Sequence, residues 1–236
     1  MALLTKIFST FYRSQITSIM TAIIPELKLI YVSIPKCACT SLKTTMYFLE
    51  HGKEFRRFDL KYFSTHKVKL VRKLYFKVTR RKKHVHNIYP SVPFSKTANK
   101  LKDFNLDEFT KICCIRDPIK RFISAYTNRV SYHKELSEAV MKNCGLESKF
   151  ANPNFFQFVE NFEFYQKINS IKHHTDPLYE FIGEDPSFYD KIYNMEKLNE
   201  FSEFLKFTYN IDYKIPRLQL GGSGSQTISI NYLKEE

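Results

Sequence analysis

The feature that most constrains this chain is a pattern that occurs twice: a short apolar run, a tight polar loop, and then a segment with helical spacing. The first run covers residues 27–34 and stops at Pro35, and helical spacing follows through residues 42–49. The second has KICCI at residues 111–115, then Arg-Asp-Pro, then apolar residues at helical spacing from 119 to 130. Buried strands that alternate with helices predict an α/β fold with a mainly parallel central sheet.

Weaker patterns continue the same organisation towards the end of the chain. They predict a short aromatic helix over residues 154–164, a strand at 192–193, a helix over 196–209 and a Gly/Ser-rich loop at 220–225. A length of 236 residues with 43% hydrophobic content suits one folded core and excludes a mainly disordered chain. We expect a helical, amphipathic segment at residues 1–26 and one domain at 27–236.

The net charge of +13 is concentrated in one stretch of the sequence. Residues 51–100 carry 15 Lys and Arg but only two acidic residues, which predicts a basic insertion in the domain. Within it, residues 67–83 have apolar positions at helical spacing and no acidic residue, as in a basic amphipathic helix. Such a surface suits a polyanion or anionic lipid headgroups, and a plain solvated helix face is the alternative. No nucleic-acid-binding motif accompanies it, so nucleic acid is disfavoured.

The cysteines and the hydropathy bear on the compartment. Five cysteines form no disulfide framework and lack the spacing of a zinc site, so we expect free thiols, a reducing compartment and no metal. No apolar run reaches the roughly 20 residues of a membrane span, and no secretion signal is recognisable. The expected location is cytoplasmic, with contact of the N-terminal segment to a membrane surface as an open alternative.

The first loop has the chemistry of an anion site. A strand, a tight loop with Lys36 and a helix opened by Thr40 and Ser41 would point backbone N–H groups and a positive charge at a phosphate-type group. Either hydroxyl could also cap that helix. The loop has no glycine, which argues against an ordinary ATPase or kinase. Taken alone, it could equally be a plain strand-to-helix connection.

Both loops together resemble a known family. The sequence IPKCACTSL at residues 34–42 is similar to the 5′-phosphosulfate loop of sulfotransferases, and CCIRDPIKRFISAY at 113–126 is similar to their 3′-phosphate motif. The form of the first loop resembles the carbohydrate branch, Golgi-type or bacterial. The resemblance implies a three-layer, P-loop-like α/β fold and 3′-phosphoadenosine-5′-phosphosulfate (PAPS) as the donor, with no metal.

The resemblance also implies roles for individual residues. Lys36 would contact the bridging and transferring oxygens and support catalysis, while Arg116 and Ser124 would hold the 3′-phosphate. The residues expected to cradle the 5′-phosphosulfate are Cys37, Ala38, Cys39, Thr40 and Ser41. Independently of the family, Arg116 leaves a strand end where α/β sheets bind ligands, and Ser124 lies two turns further along one helix face.

Transfer of a sulfuryl group to a hydroxyl requires a general base, for which histidine is suited at neutral pH. We favour His86, because it lies between the two motifs in an H-x-H pattern that related sugar 2-O-sulfotransferases also carry. His84 and His174 are the alternatives. The sequence therefore predicts a PAPS-dependent carbohydrate O-sulfotransferase with an acidic acceptor, used in polysaccharide biosynthesis. The competing hypothesis is an inactive protein of the same fold that binds polyanions or anionic membranes.

Overall fold

A four-stranded sheet organises the protein, whose computed structural model describes residues 22–55, 84–102 and 104–218. The strands are β1 (Ala22–Ile24), β2 (Leu29–Val32), β3 (Thr110–Ile115) and β4 (Lys191–Asn194), in that order across the sheet. Strand β1 is antiparallel to β2, whereas β2, β3 and β4 are parallel. The predicted mainly parallel α/β sheet is confirmed.

Strands β1 and β2 are fully buried and β3 is buried in its middle, as expected for a sheet covered by helices on both faces, whereas in β4 only Tyr193 is buried. On one face Tyr31, Ile112 and Cys114 pack with Leu42 and Met46 of the first helix. The opposite face has a separate cluster, made by Ile23, Ile30, Val32, Leu101, Cys113 and Tyr189. Two apolar layers on one sheet give the predicted three-layer arrangement.

Nine α-helices surround the sheet in the described residues. They are α1 (Cys39–His51), α2 (Phe94–Leu101), α3 (Pro118–Tyr126), α4 (Glu138–Asn143), α5 (Phe155–Glu160), α6 (Phe162–Tyr165), α7 (Asn169–Thr175), α8 (Tyr179–Ile182) and α9 (Asn199–Tyr209). A π-helical turn, Thr127–Tyr132, continues α3, and a 3₁₀ turn, Val85–Asn87, precedes α2. None of these helices is long and apolar enough to cross a membrane.

Three boundaries differ from the sequence predictions. The sheet begins at Ala22, so the boundary predicted between residues 26 and 27 falls after its first strand, and residues 22–24 are not helical. The helix predicted at 154–164 is two helices that meet at Asn161. The helix predicted at 196–209 starts at Asn199, after a 3₁₀ turn. Residues 1–21, the basic helix predicted at 67–83 and the loop at 220–225 lie outside the described residues.

Candidate active site

The loop between β2 and α1 has an unusual backbone. Lys36 has φ of 66° and Ala38 has φ of 53°, both in the left-handed region. Non-glycine residues seldom adopt this conformation, and it tends to cluster at ligand sites. Alternating right- and left-handed residues turn successive N–H groups towards one concave side, which is the geometry that binds anions.

Helix α1 begins without a cap. Its N-cap residue is Ala38, no side chain bonds to its first N–H groups, and its first turn has no acidic residue. Among the described residues, the backbone N–H groups of Cys39, Thr40 and Ser41 have no backbone acceptor. The predicted cap by Thr40 or Ser41 is therefore wrong: the Thr40 hydroxyl lies against His86, and the Ser41 hydroxyl accepts from the Leu218 N–H at 3.2 Å.

The second loop meets the first because β2 and β3 are parallel neighbours, with Val32 opposite Cys113. The Arg116 guanidinium donates to the Lys36 carbonyl at 3.4 Å. Buried Arg121, one turn into α3, donates to the Pro35 carbonyl at 3.1 Å and to the Asp176 carbonyl at 2.7 Å. The structure thus brings Lys36 and Arg116 together at one edge of the sheet.

Helix α3 begins differently from α1. Asp117 is its N-cap and accepts from the Lys120 N–H at 2.8 Å, and Pro118 occupies the first position. Ser124 lies half-buried further along α3. Among the described residues, neither the Lys36 ammonium nor the Arg116 guanidinium has a carboxylate within 4.0 Å. Two cationic residues therefore meet at this edge of the sheet without counter-charges from that part of the chain.

His86 lies directly beside the first loop. Its Nε2 is 2.9 Å from the Thr40 hydroxyl, and its Nδ1 is 3.0 Å from the Lys43 ammonium. Lys43 also donates to the Ser91 hydroxyl at 2.8 Å, which in turn lies 2.7 Å from the Ser33 hydroxyl. Thr40 and Lys43 are one turn apart on α1, so one helix face holds both nitrogens of the ring.

Burial and neighbouring cations shift the acid–base behaviour of this cluster. Burial, and then the charge of Lys43, lowers the pKa of His86 to about 3. Burial lowers the pKa of Lys43 to about 8. Burial also lowers the pKa of Lys36 to about 8, with Arg129 and Arg116 adding to the shift. An anion bound by the loop would oppose the shift of Lys36, because it stabilises the charged ammonium.

The other two candidate bases have different surroundings. The His174 Nδ1 is 2.7 Å from the Ser170 carbonyl, and its Nε2 is 2.7 Å from the guanidinium of Arg129. His84 stacks on His86 with ring centroids 4.7 Å apart, and its Nδ1 accepts from the His86 backbone N–H at 3.3 Å. Burial, followed by Arg129, lowers the pKa of His174 to about 3.

Two residues of this site were missed by the sequence analysis. Lys43 is fully buried, and a lysine within a helix is normally expected at the surface. Arg129 lies in the π-helical turn, pairs with Glu135 at 2.9 Å, and leaves its buried Nε without a partner in the described residues. Its position between the core residues Tyr126 and Val130 was the available signal that its side chain would turn inwards.

The cysteines of the two motifs are structural in this arrangement. All five cysteines of the chain are free thiols. Burial raises the pKa of Cys37 and that of Cys113 to about 12, so both remain protonated thiols. Within the described residues no group of three His, Cys, Asp or Glu side chains could hold a metal ion. The Cys37 side chain packs with Ile34 and Phe181 in the core, and therefore holds the loop on its buried side.

The fold and site together define an α/β protein with a loop of anion-binding geometry where two parallel strands end. The model of the sulfotransferase family matches residues 20–227. The chain belongs to this family, as the two motifs indicated, and to its carbohydrate, Golgi-type branch. Sulfuryl transfer is accordingly its general activity. No curated protein and no solved structure matches the chain significantly.

Proposed function

We propose that this protein transfers the sulfuryl group of PAPS to a hydroxyl of an acidic carbohydrate, with His86 as the general base. The observation that carries the proposal is the convergence of the Lys36 loop, Arg116 and His86 at the carboxyl ends of β2 and β3. Ligands of open α/β sheets bind at this edge.

The first loop fits the 5′-phosphosulfate. The uncapped start of a 13-residue helix supplies N–H groups and the positive end of the helix dipole. The left-handed backbone at Lys36 and Ala38 adds N–H groups from the loop. Lys36 supplies the positive charge. Burial lowers its pKa, and a bound anion would favour its charged form. The backbone of residues 37–41 and the hydroxyls of Thr40 and Ser41 would complete the cradle.

The second loop fits the 3′-phosphate through side chains. Arg116 is half-buried, has no carboxylate partner among the described residues and is already held by the Lys36 carbonyl. Its planar guanidinium suits a phosphate with two oxygens facing it. Ser124 is two helical turns from Arg116 and would add a hydroxyl donor.

PAPS supplies an activated sulfuryl group on a phosphate leaving group, and the protein must stabilise charge and position the acceptor. Lys36 would stabilise the negative charge that develops on the leaving phosphate. His86 would remove the proton of the acceptor hydroxyl, which makes its oxygen nucleophilic. His86 contacts Thr40 of the first loop, so its ring would lie next to the reacting group of a donor bound there.

The alternative bases have less favourable contacts. The His174 Nδ1 contacts the Ser170 carbonyl and its Nε2 contacts the guanidinium of Arg129, which can only donate and so always occupies that lone pair. The Thr40 hydroxyl beside the His86 Nε2 can donate or accept, so it can release the lone pair of His86. His84 uses its Nδ1 to accept from the backbone beside His86. Both are better suited to orient neighbours: His174 holds Arg129, and His84 fixes the turn that carries His86.

The acidic acceptor is proposed from the charge distribution of the sequence. The excess of basic residues lies at 51–100, between the two donor motifs and next to His86 in sequence. Two phosphates and one sulfuryl group do not require that much positive charge. An extended polyanion such as a uronate-containing polysaccharide would, and its binding should weaken with salt. A peripheral membrane contact of the basic segment is the competing outcome.

One experiment tests the donor assignment. Thermal unfolding is followed with 3′-phosphoadenosine-5′-phosphate, the desulfated product, and with ATP at equal concentrations. Stabilisation should follow ligand concentration over Kd and should be much larger for the 3′-phosphorylated nucleotide. Equal shifts for both nucleotides would contradict the assignment.

Activity and acceptor are tested with labelled PAPS and a panel of acidic and neutral glycans. His86→Ala should lower kcat by about 10²- to 10⁴-fold with donor affinity kept, the usual loss for a positioned base. Neutralising Arg80, Arg81, Lys82 and Lys83 should raise the KM of an acidic glycan several-fold and flatten its salt dependence. A neutral glycan as best substrate, with no salt effect, would refute the acidic acceptor. Co-sedimentation with anionic vesicles would instead support the membrane contact.

A further inference from the structure

Lys43 is the least expected residue in the core. Its side chain is fully buried, and it contacts the His86 Nδ1 at 3.0 Å and the Ser91 hydroxyl at 2.8 Å. Among the described residues no carboxylate lies within 4.0 Å of its nitrogen. A buried ammonium without a counter-charge is costly, and such groups tend to become neutral. Pure packing would be served better by a methionine or leucine at this position.

The surroundings of this pair are mostly cationic or neutral. The titratable and charged groups that interact with Lys43 or His86 are Cys39, His84, Arg129, His173 and His174. Cys39 is the group that favours a positive charge on Lys43. Lys43, His84, His174 and Arg129 all disfavour a positive charge on His86. The neutral amine is therefore accessible close to neutral pH, at a pKa of about 8.

The contacts of His86 permit two proton arrangements. When Lys43 is an ammonium it can only donate, so the His86 Nδ1 must accept and Nε2–H must donate to Thr40. When Lys43 is a neutral amine, its lone pair can accept from Nδ1–H, and Nε2 is left with a free lone pair. Only the second arrangement can take a proton from an acceptor hydroxyl at Nε2.

We propose that Lys43 is a positioning residue that sets the tautomer of His86 and receives a proton from it. This rests on the proposed function. As the acceptor O–H bond breaks, its proton goes to Nε2, and the Nδ1 proton passes to the amine of Lys43, which becomes an ammonium. The acceptor oxygen forms the new bond to sulfur, and the sulfur–oxygen bond to the 5′-phosphate breaks with its electron pair on the phosphate.

The contacts around the pair supply the two ends of this relay. Thr40 has one hydroxyl proton, so when it donates to the phosphosulfate it no longer donates to Nε2. Donor binding thus frees the lone pair at the moment that the acceptor needs it. At the other end, the Ser91 hydroxyl accepts from Lys43 and would stabilise the new ammonium.

The first test measures the tautomer and needs no turnover. Nitrogen NMR of ¹⁵N-histidine-labelled protein, without ligands, is recorded from pH 6.5 to 9.5, with His86→Gln to assign the signals. The expected result is a change of His86 from the Nε2–H to the Nδ1–H tautomer, with a midpoint near pH 8. The change should be absent in Lys43→Met. A single tautomer across the whole range would overturn the proposal.

The second test measures kcat against pH at saturating donor and acceptor. In the wild type, kcat should rise tenfold per pH unit below about 8 and then level off, because the bound donor anion keeps Lys36 charged above that pH. In Lys43→Met, kcat should no longer rise with pH, and its value above pH 8 should be 10- to 100-fold lower than in the wild type. A loss of this size is typical of removing the partner that orients a working histidine. The matched control is Thr45→Val, which removes a buried polar group from the same helix and should keep both features.

The outcomes separate the two proposals. A tautomer change without any sulfuryl transfer in the wild type would retain the Lys43–His86 pairing and refute the proposed function. Full activity of Lys43→Met with the pH limb unchanged would refute the role of Lys43 and keep the sulfotransferase. If Lys43→Met does not fold, the wild-type NMR titration alone decides, because it requires no variant at this position.

Discussion

The two strand–loop–helix units have the same outline but opposite helix starts. Helix α1 begins at an uncapped Ala38 in the left-handed region, with its first N–H groups free of backbone acceptors in the described residues. Helix α3 begins at Asp117, whose carboxylate occupies one of the equivalent N–H groups and adds a negative charge. The backbone at the start of α1 therefore favours a bound anion, whereas the Asp117 carboxylate at the start of α3 disfavours one.

On the proposed function, the difference means that the two units would bind their phosphate-type groups in different ways. The first unit uses backbone N–H groups and a single lysine, which suit a group whose charge changes during the reaction. The second unit uses Arg116, whose guanidinium stays charged at all working pH values. We expect the first unit to control rate and the second to control affinity, and the following predictions test this division.

The largest expected effect is on turnover. Lys36→Met should lower kcat by about 10²- to 10³-fold, because it removes the charge that stabilises the leaving phosphate. Kinetics at saturating donor measure this effect. The control is Lys28→Met, which removes an exposed lysine paired with Glu108 at the opposite end of β2. Comparable losses of kcat in both variants would break the comparison.

The next effect is on donor affinity. Arg116→Ala should weaken binding of the 3′-phosphorylated product nucleotide by about 1.5–3 kcal/mol, the range for one hydrogen bond to a charged group. Isothermal titration calorimetry measures it directly. Lys120→Ala serves as the control, since that exposed lysine on the same helix pairs with Glu196. A loss in kcat larger than the loss in affinity would show that the second unit also acts on the rate.

The pH dependence of binding should separate the two cations. Lys36 has its pKa lowered to about 8 by burial, so it is charged below pH 8 and loses its charge above it. A bound anion favours the charged form, so affinity for the product nucleotide should be constant just below pH 8 and fall above it, by up to about tenfold per pH unit. Calorimetry between pH 7.5 and 9.5 measures the slope. In Lys36→Met the slope should disappear, whereas in Arg116→Ala it should persist.

The smallest effect concerns stability. Asp117→Ala removes the cap of α3 and should lower the free energy of unfolding by about 0.5–2 kcal/mol. Urea unfolding measures this loss. Because the cap repels a nearby anion, affinity for the product nucleotide should be unchanged or slightly higher. Asp117→Asn keeps a capping oxygen without the charge, so it should recover most of the stability. A tenfold loss of affinity in Asp117→Asn would mean that the carboxylate takes part in binding.

The sequence was most informative where chemistry and local structure coincide. The runs that became β2 and β3 were recognisable from β-favouring residues that stop at loop signals, and Pro118 marked the start of α3. The convergence of Lys36 with Arg116 followed from parallel topology. Here local propensity and tertiary structure agree, so the sequence pattern was sufficient to predict β2, β3 and the start of α3.

The parts that could not be predicted depend on contacts distant in sequence. The Thr40 hydroxyl could have capped its own helix, but it meets His86, 46 positions away. Nothing local indicates that Lys43 is buried, because its partners His86 and Ser91 come from another part of the chain. The division of residues 154–164 into two helices is the local exception, because it follows from Asn161, which ends one helix and starts the next.

Arg121 has a consequence for ligand selection. Its guanidinium belongs to the second unit but is bonded to the Pro35 carbonyl of the first, and it is nearly inaccessible to solvent. The spacing between the two proposed phosphate sites would thereby be fixed before a ligand binds. The two loops would therefore accept only a nucleotide whose phosphates are separated by the distance between the two sites. A nucleotide with a different separation would reach one site only, even if each site binds phosphate well alone. Selection among phosphorylated nucleosides would then depend on the distance between their phosphates as well as on their charge.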